Sequence, residues 1–300
     1  MAKEYKYYLG RITKGGVLTT EDLIDAIIAP VTIEKRLYNY TFTNVIYNEE
    51  QNYIYGRLAK YTLEGEIETI IPHKHVESSI SVEHIKESSS PFLISLDHMG
   101  IAYPQVWNHL PKEQFEKTFN KLISQKYENF FVACNIEPIV DLRTFIDRVS
   151  LLTRIDKITA TVVPPNPLFG PVWKDLKNYM EERKSSEIQI SEKSKYLYGL
   201  KSKIKEILKY FTEDDKIKKE DTVKMIENLK YDITDAAILM AADGYGTAKI
   251  EGYQDKEEVI IKTKDNQKSF QYNKDPDIEE FYKIVFAEFE YINSERYLKH

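Results

Sequence analysis

Residues 130–163 read FFVACNIEPIVDLRTFIDRVSLLTRIDKITATVV, and this stretch decides the fold that the sequence predicts. Phe130 to Ile136 is an apolar run of strand length, and Ile155 to Val163 alternates apolar and polar residues as a strand does. Between them, Ile139 to Leu152 repeats apolar residues at helical spacing. We therefore predict a strand, a helix and a second strand, an order that favours a parallel or mixed strand pair.

The chain before this stretch is rich in strand-forming residues. Lys3 to Ile12 and Tyr53 to Tyr61 hold many aromatic and β-branched residues, which strands prefer. One helix is predicted at Thr20 to Ile28, and another at Lys112 to Lys126 places its apolar residues on one face. Because the β character ends near residue 110, we predict a β-rich N-terminal domain over residues 1–110.

The chain after residue 163 is mainly helical and ends with a small strand meander. Gly244 follows an apolar helix, where glycine supplies the left-handed residue that ends helices. The predicted class is α+β, with a mixed α/β to helical domain over residues 111–300. The further helices are predicted at Val172 to Arg183, Gly199 to Phe211, Asp221 to Ala242 and Asp277 to Tyr291, and the meander strands at Thr247 to Glu251, Val259 to Thr263 and Ser269 to Tyr272.

The composition limits the function classes. The 300 residues hold 42 Lys and Arg against 48 Asp and Glu, a formal net charge of -6, which argues against a protein devoted to coating nucleic acid. One cysteine allows no internal disulfide and no Cys-based zinc site. The N-terminus lacks the apolar core of a signal peptide, and no apolar run has the length of a membrane span. We expect a cytoplasmic protein without membrane contact.

Five of the six histidines fall between His73 and His109. On an extended strand, His73, His75 and Glu77 would point to one face, because side chains alternate with period two. Two imidazoles and a carboxylate form a ligand set for zinc or manganese. The alternative is a solvated edge strand that carries surface histidines.

A basic stretch runs from residue 193 to residue 209 and holds six lysines and one glutamate. Three of these lysines repeat at i,i+4 on one face of the predicted helix, and two tyrosines before it could stack on bases. The pattern is typical of contact with a phosphate backbone, although a lysine face is also simply a solvated face. The candidate nucleic-acid-binding residues are Lys193, Lys195, Tyr196, Tyr198, Lys201, Lys205 and Lys209.

Catalytic motifs are lacking in the sequence. There is no Gly-x-Ser-x-Gly elbow, no Gly-x-Gly-x-x-Gly and no phosphate loop with its lysine. Cys134 lies inside an apolar run, where a thiol is usually inert packing. We therefore name no catalytic residue, expect no cofactor and favour a protein that is not an enzyme.

The order of elements, with LLTRIDKITATVVPPNP at residues 151–167 and DGYGTAKIEG at residues 243–252, resembles uncharacterised bacterial and phage proteins found around phage-defence loci. The resemblance covers roughly residues 90 to 275. It implies a role in phage–host conflict, either as a defence component or as a phage-encoded counter-defence protein. Such families have no agreed catalytic residues, so the resemblance implies no reaction.

Three hypotheses follow from the sequence together with this resemblance, which alone implies the phage-defence role. The first is a non-enzymatic interaction protein that self-associates and that binds and blocks, or assists, a nuclease-type anti-phage defence complex. An acidic protein rich in tyrosine fits such a contact, because charge complementarity and aromatic area favour protein interfaces. The second is a nucleic-acid-binding or nuclease-like defence effector that uses residues 193–209. The third is a metal-dependent enzyme built on His73, His75 and Glu77.

Overall fold

The chain folds into two antiparallel sheets with helices packed on them. A computed structural model describes residues 4–71, 76–106, 109–164, 174–209 and 232–296, without the side chains of residues 64–84, 174–175 and 209. The strands within these residues are β1 (Glu4–Gly16), β2 (Ile33–Lys35), β3 (Tyr38–Asn48), β4 (Tyr53–Ile71), β5 (Val76–Ser95), β6 (Gly100–Pro104), β7 (Val132–Pro138), β8 (Arg154–Val162), β9 (Ile188–Lys193), β10 (Gly246–Gln254), β11 (Glu257–Lys262) and β12 (Ser269–Asn273). The helices are α1 (Thr20–Ile28), α2 (Lys112–Lys126), α3 (Leu142–Ser150), α4 (Lys174–Glu182), α5 (Ile204–Lys209), α6 (Ile233–Ala242) and α7 (Ile278–Arg296).

The larger sheet has the strand order β12-β1-β6-β5-β4-β3-β2 in the described part of the chain, and β7 also pairs with β1. One edge of β1 is divided, because β12 pairs with residues 4–8 and β7 pairs with residues 10–16. At Leu9, between them, the backbone N–H donates to the Lys268 carbonyl at 3.0 Å, and the carbonyl accepts from the Ile139 N–H at 3.1 Å. The sheet takes strands from both sides of residue 110, and the domain boundary there stays a prediction.

The smaller sheet has the strand order β11-β10-β8-β9. The predicted parallel or mixed pair around α3 was wrong. β7 pairs antiparallel with β1 in the larger sheet, whereas β8 pairs antiparallel with β10 and β9 in the smaller one. The chain crosses from one sheet to the other through α3, so the two strands of the predicted unit never become neighbours.

Local sequence signals place the first two helices. At the start of α1, the Asp22 N–H donates to the Thr19 hydroxyl at 3.0 Å, and the Thr19 N–H donates to the Asp22 carboxylate at 2.9 Å. This reciprocal cap satisfies two backbone donors that the helix itself leaves unpaired. In α2, Phe115 and Phe119 are buried together with Leu122 and Ile123, which confirms the predicted apolar face.

Three apolar clusters hold the elements together. One face of the larger sheet packs on α1 and α2, with Phe92 and Phe119 in contact at 5.7 Å between ring centroids. The opposite face packs on α7, where Phe281 is fully buried. The third cluster joins one face of the smaller sheet to α3, α4, α5 and α6. The helices of the smaller sheet therefore leave its other face without a helical cover in the described residues.

The predicted α+β class is confirmed, with a β-rich N-terminal region, helices and a C-terminal strand region. Gly244 has a φ of +84° and is the second residue after α6, as the sequence predicts for a helix-ending glycine. Of the meander, β10 and β11 pair with each other, while β12 joins the larger sheet. Phe130 and Phe131, predicted as part of a buried strand, precede β7 and are 71% and 70% exposed. Among the described helices, none combines the length and the apolar character that a membrane crossing needs.

Candidate nucleic-acid interface

The smaller sheet has an apolar inner face and a polar outer face. On β8, Ile158 and Ala160 are buried against the helices, whereas Thr159 and Thr161 lie on the other side and are partly exposed. The same alternation continues on β10, where Ile250 is fully buried. Because strand side chains alternate with period two, every second residue of this sheet faces outward.

Cross-strand register brings four lysines together on the outer face. Lys249 on β10 lies directly opposite Lys262 on β11, and Lys157 on β8 lies directly opposite Lys193 on β9. Each strand of the smaller sheet thus contributes one lysine. Like charges that face each other directly across two strands are destabilising. We call Lys157, Lys193, Lys249 and Lys262 the lysine patch.

Glu251 neutralises part of the lysine patch. Its Oε1 atom lies 2.9 Å from the Lys249 Nζ atom and 3.3 Å from the Lys157 Nζ atom. The hydrogen bond from Lys249, followed by the bond from Lys157, lowers the pKa of the Glu251 carboxyl group. Glu251 is therefore ionised at neutral pH. Its single negative charge offsets only one of the four positive charges of the lysine patch.

An arginine–tyrosine pair borders the patch. The Arg154 guanidinium lies over the Tyr253 ring, 4.5 Å from its centroid. Asp156 holds this guanidinium at two points, with Nε to Oδ1 at 2.6 Å and Nη2 to Oδ2 at 2.8 Å. The hydrogen bond to Asp156 raises the pKa of Arg154. The planar guanidinium is thus fixed against the ring, an arrangement that cation–π attraction favours.

The loop after β9, which we call the tyrosine loop, carries three exposed apolar side chains at residues 196–198. Tyr196 is 83% exposed, Leu197 is 75% exposed and Tyr198 is 89% exposed. The Arg154 Nη1 atom donates to the Leu197 carbonyl at 3.2 Å, and the Gly199 N–H donates to the Tyr196 carbonyl at 3.0 Å. A cavity of about 520 Å³ opens between this loop and the Tyr253 side chain, with Lys256 on its border. The loop is therefore tied to the edge of the patch.

The structure places the predicted nucleic-acid residues at separate positions. Lys193 belongs to the lysine patch, and Lys195 is exposed next to the tyrosine loop. Lys201 precedes α5, Lys205 donates a hydrogen bond to the Leu152 carbonyl, and the side chain of Lys209 lies outside the described residues. The predicted lysine row on one helix from Gly199 is therefore not formed by Lys201 and Lys205.

The late start of α5 has a local cause. The Ser202 hydroxyl accepts a hydrogen bond from the Ile204 N–H at 3.2 Å and donates to the Asp235 carboxylate at 2.6 Å. These two bonds hold Ser202 outside the helix, whose first hydrogen bond runs from the Ile207 N–H to the Lys203 carbonyl. Burial raises the pKa of the Asp235 carboxyl group.

Several residues of this site were missed in the sequence. Lys157, Lys249 and Lys262 lie in strands that the sequence does predict, and each is next to at least one buried apolar residue. Alternation alone could have marked them as outward-facing. It could not show that β8 and β10 are neighbours, and this pairing is what brings Lys157 and Lys249 to the same carboxylate.

The predicted metal ligands fall largely outside the described residues. His73 and His75 are not described, and Glu77 lies on β5 with its side chain undescribed. In the described part of the chain, no group of three metal-ligating side chains converges. His98 uses both ring nitrogens within the fold, with Nδ1 2.7 Å from the Ser95 hydroxyl and Nε2 3.0 Å from a Glu290 carboxylate oxygen. The metal site stays a prediction.

Fold and site together define an α+β protein with an open, lysine-bearing sheet face. Residues 25–209 match the family described as a domain of unknown function, DUF4747. Because this match covers more than half of the chain, the chain belongs to that family. No curated protein matches the chain. The matched residues include β8, β9 and the tyrosine loop, while β10 and β11 follow the match.

Proposed function

We propose that this protein binds single-stranded nucleic acid on the outer face of its smaller sheet. The observation that supports the proposal is that lysines lie directly opposite each other on neighbouring strands. Lys249 faces Lys262, and Lys157 faces Lys193. The repulsion between the two ammonium groups of each pair destabilises the free protein, and a bound anion reduces this repulsion. Phosphates are the anions that such a row of lysines would contact in a nucleic acid.

Aromatic side chains beside the patch favour a single strand over a duplex. Tyr253 lies at the end of the patch, and Tyr196 and Tyr198 extend from the loop next to it. Unpaired bases stack on such rings without regard to sequence, whereas bases in a duplex already stack on one another. Other four-stranded sheets bind single-stranded RNA by stacking two or three bases on one open face. The net charge of -6 argues against a protein that coats nucleic acid, but it allows a local contact through the lysine patch.

The test is the salt dependence of oligonucleotide binding. A fluorescein-labelled single strand of about 12 nucleotides, as DNA and as RNA, is titrated with the protein at several salt concentrations and followed by anisotropy. We expect binding that weakens with salt, and a log–log slope that falls by about 1 in Lys157→Gln and in Lys249→Gln. The exposed Lys121→Gln on α2 is the matched control. Absence of binding at about 50 mM salt, or equal slopes in all variants, contradicts the proposal.

A protein partner is the second candidate, and the exposed Tyr196, Leu197 and Tyr198 favour it. Tyrosine is enriched at protein interfaces, and three neighbouring apolar side chains exposed to this degree fit a contact site. The partner would be a nuclease-type defence complex in phage–host conflict, with self-association of this chain and a cytoplasmic location. A tagged pull-down from bacterial lysate, with and without nuclease, separates the two candidates. A partner that persists after nuclease and is lost in Tyr196→Ser/Tyr198→Ser supports the second one.

A further inference from the structure

A cavity of about 660 Å³ lies on the larger sheet, next to the segment that leads into α7. It shares no lining residue with the lysine patch. Its volume falls within the range that small-molecule sites occupy, about 300–1,000 Å³. The lining residues that matter here are Tyr5, Arg57, Lys86, Ser89, Lys274 and Asp275.

Arg57 is the fixed cation of this cavity. Its side chain is 13% exposed, and its Nε atom donates to the hydroxyl of the buried Ser89 at 3.1 Å. A guanidinium held in this way presents its remaining donors in a set direction, which suits a planar or tetrahedral anion. Lys86 and Lys274 add two further positive charges at the cavity wall, and Glu87 adds one negative charge.

Asp275 occupies the outward side of the guanidinium. Its Oδ1 atom lies 3.2 Å from the Arg57 Nη2 atom, and its side chain is 71% exposed. An ion pair with one partner so exposed contributes little to stability, because water screens it. The carboxylate therefore stands where an anionic group from outside would meet Arg57.

We infer that this cavity binds a small phosphate-bearing molecule, with Arg57 as its anchor and Asp275 as the internal group that the phosphate replaces. A phosphate offers more acceptor oxygens than one carboxylate and attracts Lys86 and Lys274 as well. Tyr5, on the wall, provides an aromatic side chain that the rest of the ligand can contact. This inference is independent of the proposed nucleic-acid contact.

The experiment is isothermal titration of the full chain with AMP, inorganic phosphate, adenosine and succinate. We expect AMP and phosphate to bind and adenosine not to bind. Arg57→Gln should weaken AMP binding at least about tenfold, since it removes charge-assisted hydrogen bonds. Asp275→Asn should tighten binding several-fold, because it removes the competing carboxylate. The exposed Lys121→Gln should change nothing.

Lys274→Gln keeps the test decisive if Arg57→Gln fails to fold, because it alters only the cavity wall and should weaken AMP binding. Three outcomes overturn the inference: adenosine binding as tightly as AMP, succinate matching phosphate, or AMP affinity that is equal in Asp275→Asn and the native chain. Lys157→Gln should leave AMP binding unchanged. If oligonucleotides fail to bind, the proposed phosphate site is unaffected. If AMP fails to bind, the phosphate site is disproved and the proposed role of the lysine patch is unaffected.

Discussion

Arg296 and Asp243 form an ion pair in which both side chains are buried, with Nη1 2.6 Å from Oδ1. Arg296 ends α7 on the larger sheet, and Asp243 directly follows α6 under the smaller sheet. The same guanidinium also donates to the Ala242 carbonyl at 2.8 Å and to the Val140 carbonyl. One side chain therefore ties together the helices of the two sheets.

Loss of this arginine should destabilise the chain strongly. Arg296→Met removes the positive charge that faces the buried Asp243 carboxylate at 2.6 Å, a change that costs about 3–5 kcal/mol of unfolding free energy. Urea unfolding followed by circular dichroism measures the loss. Lys177→Met removes a partly exposed i,i+4 pair with Glu181 on α4 and should cost no more than about 0.5 kcal/mol. Equal losses in the two variants would show that the buried pair has no special weight.

Glu137 makes stability depend on pH. It lies on β7 opposite Arg11, and burial raises its pKa from 4.5 to about 7, with the charges of Glu116 and Glu187 adding to the effect. When the pKa of a carboxyl group is higher in the folded state than in the unfolded state, protonation of that group stabilises the fold. This contribution is complete at pH values below the unfolded-state pKa. That contribution is lost as pH rises through about 7, because the buried group then ionises.

Glu137→Gln should therefore raise the melting temperature at about pH 8 and leave it nearly unchanged at about pH 4. The gain at the higher pH reaches up to about 3 kcal/mol, since one pKa unit corresponds to about 1.4 kcal/mol. Thermal melts at the two pH values measure it, and the exposed Glu113→Gln is the control. A shift of the same size at both pH values would assign the effect to packing rather than to ionisation.

Short-range features of the fold were predictable, and long-range ones were not. The start of α1 at Thr20 and the left-handed Gly244 depend on a few neighbouring residues, so both could be predicted from the sequence. Strand partners are set by packing between distant segments, and the pairing of β8 with β10 joins residues about ninety positions apart. The lysine patch exists only through such pairings, which is why a search for basic runs found Lys193 and missed Lys249.

If a base stacks on Tyr253, loss of the ring should lower the affinity for the oligonucleotide without changing the log–log slope of binding against salt concentration. Tyr253→Leu keeps an apolar side chain next to Arg154 but removes the ring, so one stacked base is lost at a cost of about 1–3 kcal/mol. The slope stays constant because no phosphate contact changes. Anisotropy titrations at several salt concentrations separate the two quantities. Tyr179→Leu on α4 is the control, and a changed slope in Tyr253→Leu would argue against a stacking role.

The opposed lysines offer the sharpest separation of function from stability. Lys262→Glu turns the like-charge pair with Lys249 into an opposite-charge pair across β10 and β11, which should stabilise the fold by roughly 0.2–1 kcal/mol. The same change removes a phosphate contact and adds a negative charge, so oligonucleotide binding should weaken. Sites that serve binding commonly give up stability in this way.

Urea unfolding and anisotropy on the same preparation test both halves of this prediction, and Lys262→Gln should fall between the native chain and Lys262→Glu in each. A lysine kept only for solubility would give the stability change with no loss of affinity. A lysine that supports the fold would give the opposite sign in unfolding. Higher stability together with weaker binding is the result expected if Lys249 and Lys262 contact the nucleic acid. Lys262→Glu then removes the repulsion between the two lysines and also removes the attraction of Lys262 for a phosphate.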